Sequence, residues 1–188
     1  NSKELFDYFI YKKDYSLLYM FDTNLLTDEI ILNNLEQLYE IINSRNILYN
    51  LSHSRIMFNK CFEEKNFALL CLFDDKLLTN DIICANIDAF YDVITKQKFL
   101  NSWLSNNISL FNKCLKEKNF CLSFKFNHNF WTSRLIREYH DDLYNYIVDF
   151  DVVPGVLINN VFLFNKCIEN KKISLINKFQ MDLDVYDQ

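Results

Sequence analysis

Residues 110–126 read LFNKCLKEKNFCLSFKF, and the pattern returns as MFNKCFEEKNFALLCLF at 57–73 and LFNKCIENKKISLINKF at 163–179. The tetrapeptide FNKC falls at 58–61, 111–114 and 164–167, 53 residues apart each time. A looser copy, LFDYFIYKKDYSLLYMF, lies at 5–21, 52 residues before the next. A fixed period of this size makes each copy a supersecondary unit too small to bury its apolar face alone, so it must stack on its neighbour. The units run 5–56, 57–109, 110–162 and a truncated 163–188, within a single repeat domain of 1–188.

Local signals inside the unit are helical. Phe58, Cys61 and Phe62 recur at i, i+3 and i+4, the stripe of a short helix. The polar run 63–66 reads as a turn, and 67–73 as a second short apolar helix. A third helix starts behind Thr79, whose counterparts are Thr27 and Thr132. A threonine there accepts a bond from an orphan N–H of the first turn. The acids that follow Thr27 and Thr79 suit the positive helix end. Ile31, Leu35, Leu38 and Ile42 then repeat at i, i+4, i+7 and i+11, as do Ile83, Ile87, Phe90 and Ile94, predicting one amphipathic helix of about four turns. Tyr39, Tyr91 and Tyr144 form a column beside it that packs as core with satisfied hydroxyls. The tails at 50–54, 103–107 and 156–160 turn Leu51, Leu104 and Leu157 inward, and their Asn and Ser residues cap the next FNKC helix. The expected fold is all-α, an α-solenoid of about 3.5 helical repeats.

The seventeen-residue core resembles the helix–turn–helix of ankyrin repeats: an apolar first helix, a polar turn, and a second helix ending in bulky apolar residues. The likeness covers about a third of each unit. The TPLH opening and the turn glycine are missing, and each repeat is longer by about twenty residues. HEAT-like and TPR-like packing are alternatives. What the resemblance implies is protein–protein binding.

Composition narrows the class. The chain is 50% apolar, 24% charged and 16% aromatic, which is globular. One glycine and one proline in 188 residues oppose a β-rich fold, whose hairpins need positive-φ positions. They also exclude a P-loop or a GxGxxG turn. Net charge is −5, without the basic footprint of a dedicated nucleic-acid binder. No apolar run approaches the ~20 residues of a membrane span, and the opening NSKELFDYF has no signal-peptide pattern. The abundance of Asn, Lys, Ile, Phe and Tyr suits an AT-rich genome.

Cys61, Cys114 and Cys167 share a column with Phe9. The columns of Cys71 and Cys84 hold mainly apolar residues: Tyr19 and Phe124 in one, Leu32 in the other with Arg137 as the exception. Columns of that kind belong to a core, so all six cysteines are expected as buried, reduced thiols in the cytoplasm. There is no CxxC, and His53, His128 and His140 form no metal pair on one helix face. Asp141 and Asp142 are adjacent on a helix and point about 100° apart, which places them on a solvated face. No catalytic residue, cofactor or metal is expected.

Residues that break a column are the candidates for contacts. Arg134 stands where earlier units have Glu29 and Asp81, Arg137 where they have Leu32 and Cys84, and His140 where they have Leu35 and Ile87. Trp103 replaces Asn50 and is replaced by Val156, and its ring is expected to be partly buried against Phe99 or the next unit. Trp131, in the column of Leu26 and Leu78, is expected in the core. A second set, Lys60, Lys65, Lys113, Lys118, Lys166 and Lys171, would line one basic edge. The expected function is an intracellular protein–protein interaction module, an adaptor or inhibitor, with neither membrane nor small-molecule ligand. The alternative is an accessory or dormancy-type factor docked on an RNA-containing assembly such as the ribosome through the lysine edge. A weaker alternative is a HEAT-like nucleic-acid enzyme.

Overall fold

The computed structural model describes residues 2–15, 17, 21–45, 48–97 and 100–181. Regular structure among them is entirely helical. The first repeat carries α1 (Ser2–Tyr11), α2 (Asp28–Asn33) and α3 (Leu35–Arg45). The second carries α4 (Arg55–Glu63), α5 (Phe67–Leu70), α6 (Asn80–Ala85) and α7 (Ile87–Gln97). The third carries α8 (Ile108–Lys116), α9 (Phe120–Ser123), α10 (Ser133–Glu138) and α11 (His140–Phe150), and the fourth α12 (Val161–Glu169) and α13 (Ile173–Ile176). Tyr19 and Phe99 lie outside the described residues, as does 182–188 of the fourth repeat. The chain divides into two compact units, Asn1–Leu104 and Ser105–Gln188.

The expected caps form. Thr27, Thr79 and Thr132 accept from the N–H of Ile30, Ile82 and Leu135 at 3.4, 3.5 and 3.2 Å. Ser54, Asn107 and Asn160 accept from Met57, Leu110 and Leu163 at 3.3, 2.9 and 3.0 Å, starting the three FNKC helices.

Each FNKC helix then stops in the same way. Lys13, Lys65, Lys118 and Lys171 occupy the left-handed region at φ 54, 53, 54 and 53°. The next residue reaches back to the carbonyl five positions earlier: Asp14 to Phe9 at 3.0 Å, Asn66 to Cys61 and Asn119 to Cys114 at 2.8 Å, and Lys172 to Cys167 at 2.9 Å. This is a Schellman stop, usually built on glycine, and here it satisfies orphan carbonyls with a lysine instead. An L-residue in that region costs roughly 1–2 kcal/mol. Lys118→Gly is therefore expected to stabilise the protein by about 0.5–1 kcal/mol after the entropy of the more flexible unfolded chain is subtracted. Urea denaturation checks the sign, and a loss of stability would mean that the Lys118–Asp142 ion pair at 2.8 Å outweighs the backbone relief.

A phenylalanine pair closes the helical hairpin in every repeat. Phe6 meets Phe21, Phe58 meets Phe73, Phe111 meets Phe126 and Phe164 meets Phe179, with ring centroids 5.3–5.8 Å apart. The first ring is the F of FNKC or its counterpart, and the second ends the seventeen-residue stretch. Trp131 is buried as expected, its ring stacked on Phe124 at 4.9 Å and edge-on to Phe111 at 5.3 Å. Within the first unit α2 and α3 pack on α4, and within the second α11 packs on α12, so consecutive repeats stack there. Backbone bonds also tie the tail of one repeat to the next: Asp74 N–H to Ser52, Asn127 to Ser105 and Gln180 to Ile158 at 3.4, 2.9 and 2.9 Å.

Three expectations are corrected. The four-turn helix is two helices, interrupted at Asn34 (φ −127°, ψ 19°), Asn86 (φ −128°, ψ 32°) and Tyr139 (φ −102°, ψ 16°). At the first two, the side-chain amide donates to the carbonyl four residues back, Ile30 at 2.8 Å and Ile82 at 2.9 Å, competing with the helical ladder. Phe62 is exposed rather than part of the buried stripe, although its counterpart Leu115 is buried. Finally, Cys61, Cys71, Cys114 and Cys167 are buried thiols, but Cys84 and Cys121 are exposed. The Cys84 column is a surface column throughout, since Leu32 and Arg137 are exposed as well.

Candidate functional site

Helix α10 departs from its counterparts at its first turn. α2 starts with Asp28 and Glu29 and α6 has Asp81, whereas α10 has no acid there and carries Arg134 in its first turn and Arg137 in its last. Arg134, a cation beside the positive end of the helix, opposes the macrodipole by about 0.3 kcal/mol or more, whereas Arg137 near the other end complements it. A local rule broken without structural gain points to a contact made elsewhere. Both guanidinium groups are exposed, and no described carboxylate pairs with either.

Beside them opens a cleft of about 630 Å³ within the second unit. Ser133 and Arg137 of α10 form one wall. Asn159, Val161, Phe162 and Asn165 at the start of α12 form the other, and Asn160 between them is spent on capping the helix. Phe162 is 49% exposed and Val161 45%. Two apolar side chains are thus held open beside the Arg137 guanidinium, with which no described carboxylate pairs.

The wall under Phe162 is tied down. His140 meets the Phe162 ring edge-on at 5.0 Å. Its Nδ1 lies 2.8 Å from the Arg137 carbonyl and its Nε2 3.2 Å from Asp141 Oδ1. Asp141 also accepts a hydrogen bond from Lys166, which is the main reason its carboxyl is held below the usual range. Lys166 in turn lies over the Tyr144 ring at 4.8 Å. This run of contacts joins α10, α11 and α12 and fixes the Phe162 ring without covering it.

Of the residues expected to bind a partner, Arg137 lines the cleft, His140 braces its Phe162 wall, and Arg134 lies three residues before Arg137 on α10. Trp103 belongs to the first unit, half-buried, with its Nε1 buried and lacking an acceptor among the described residues. The lysine edge is largely engaged. Lys60 bonds Glu36 at 2.7 Å and Glu64 at 3.0 Å, and these hold its ammonium above the usual lysine range. Lys113 pairs with Glu117 at 2.9 Å, Lys118 with Asp142 at 2.8 Å and Lys166 with Asp141. Lys65 and Lys171 are exposed at the left-handed stops.

Phe162 and Val161 were missed by the sequence reading, although the column rule could have found them. Phe162 stands where Ile56 and Ser109 stand, and Val161 where Arg55 and Ile108 stand. His53 contacts Asp74, and His128 is exposed in a 3-10 turn. Among the described residues no group of three or more His, Cys, Asp or Glu could hold a metal ion, and no helix is long and apolar enough to cross a membrane. Comparison of the chain with protein-family models, curated proteins and solved structures returns no match.

Proposed function

We propose that the chain is a protein-interaction module, an adaptor or inhibitor built from stacked ankyrin-like helical repeats, that holds its partner at the cleft beside α10 and takes no catalytic part itself. The observation that carries this reading is the pair of exposed guanidinium groups of Arg134 and Arg137, with which no described carboxylate pairs, on the helix whose Arg137 shares a cleft with the exposed Phe162 ring. Arginine and aromatic side chains are the residue types that dominate binding energy at protein interfaces. The solenoid reading draws support from the recurrence of one local geometry, four left-handed stops and four phenylalanine pairs, at one period.

The ribosome-docked alternative needs cations free to meet phosphate. Lys60, Lys113, Lys118 and Lys166 already spend theirs on carboxylates, which favours a protein partner. Affinity purification followed by mass spectrometry is the test, with the captured complex measured across a salt series. The expected result is a protein partner, a shallow dependence on salt, and a loss of about 2 kcal/mol or more for Arg134→Ala with Arg137→Ala. Substituting Lys60, Lys113 and Lys166 by Ala should change little. Co-purifying RNA with a steep salt slope that the lysine substitutions abolish would overturn the reading, because counterion release from phosphate produces that slope.

A further inference from the structure

We infer that the cleft between α10 and α12 takes an extended peptide segment bearing aspartate or glutamate next to an apolar side chain. The inference rests on the interaction-module reading and goes further by specifying the ligand's chemistry. Charge complementarity supports it. Arg137 lines the cleft, Arg134 stands exposed three residues before it on α10, and Asp141 is turned to Lys166 and His140. Glu138 follows on α10 as an exposed acid, and Glu169 lines a neighbouring hollow with Lys166. An arginine fork presents paired N–H donors that match a carboxylate edge.

Asn159 and Asn165 line the cleft and are exposed, and their side-chain amides have no hydrogen-bond partner among the described residues. A primary amide offers a donor and an acceptor side by side, the complement of the C=O and N–H along an extended chain. Phe162, braced by His140, and Val161 form an apolar floor that gives an adjacent side chain somewhere to bury.

Phosphate is the competing anion, but its usual sources fit less well. A nucleic acid strand needs a track of cations, whereas residues 105–188 carry ten basic and ten acidic side chains and this edge has two arginines. The net charge of −5 falls wholly on residues 1–104, where fifteen acids face ten bases. An acidic peptide would therefore be repelled by the first unit's sequence and drawn to the arginine edge of the second.

The test is fluorescence anisotropy on the full chain with three labelled probes: a peptide alternating Glu and Leu, one alternating Lys and Leu, and oligouridylate. The Glu–Leu peptide should bind and the other two should not. Arg137→Ala and Phe162→Ala should each weaken binding by about tenfold. The double charge reversal R134E/R137E should transfer preference to the Lys–Leu peptide, a gain that also shows the variant to be folded. Equal binding of both peptides, preference for oligouridylate, or indifference to R137A overturns the inference. If a cellular protein partner is captured but R134E/R137E leaves that capture intact, the acidic-peptide inference falls and the interaction-module reading stands. If no protein partner is captured and RNA is, the module reading itself falls.

Discussion

Phe111→Ala is expected to destabilise the protein by about 3–5 kcal/mol, the usual loss for a fully buried aromatic truncated to alanine. The ring is 1% exposed. It touches Phe126 at 5.8 Å, Phe130 at 5.3 Å and Trp131 at 5.3 Å, so its removal leaves three aromatic neighbours facing a void. Each aromatic pair adds about 0.5–1.5 kcal/mol beyond the area it buries, and the cluster cannot collapse while Trp131 is stacked on Phe124. Domain stabilities are about 5–15 kcal/mol, so this one change removes a large share. Chemical denaturation of wild type and variant measures it. Phe162→Ala is the control: that ring is 49% exposed, and the unfolding transition should hardly move. A loss below about 1 kcal/mol for Phe111→Ala would show that the phenylalanine pair does not close the hairpin.

Cys114→Ser is the next largest effect, a loss of about 1–3 kcal/mol from a hydroxyl placed in an apolar column. Cys61, Cys114 and Cys167 are each 0% exposed and Cys71 is 1% exposed. Burial pushes the Cys61, Cys71 and Cys114 thiols up to about 12, and Cys167 upward as well. A thiol reagent should therefore modify Cys84 and Cys121 in the native protein and reach the other four only on unfolding. Reaction of all six at one rate without denaturant would remove the buried column. The sign of the pH effect follows from the raised values. A thiol that holds its proton more tightly in the fold contributes fully below the unfolded value of about 8.5, and that contribution is lost as pH rises toward about 12. Cys114→Ser should lack this alkaline loss at its own position.

Much of the fold could be read from residues a few positions apart. The threonine caps at 27, 79 and 132 and the Ser54, Asn107 and Asn160 caps each depend on contacts within one turn of helix. The helix break at Asn34 and Asn86 was also local, an amide competing for the carbonyl four residues back, but an apolar stripe continued across it and hid it. At the site, the two arginines and His140 were visible because they break columns. Phe162 breaks its column too, yet only the fold shows it exposed and braced by His140.

The amino-acid sequence by itself determined the all-helical class, the period and the helix starts, because periodicity and capping act over three or four residues. Tertiary structure alone decided which copy of a column is covered. Phe62 is exposed and Leu115 buried at one repeat position, since burial depends on what packs from elsewhere in the chain. It also decided that Lys60 and Lys166 are spent on Glu36 and Asp141, more than twenty positions away, while no described carboxylate pairs with Arg134 or Arg137. Those pairings are set by how one helix lies against another, and no local spacing encodes them.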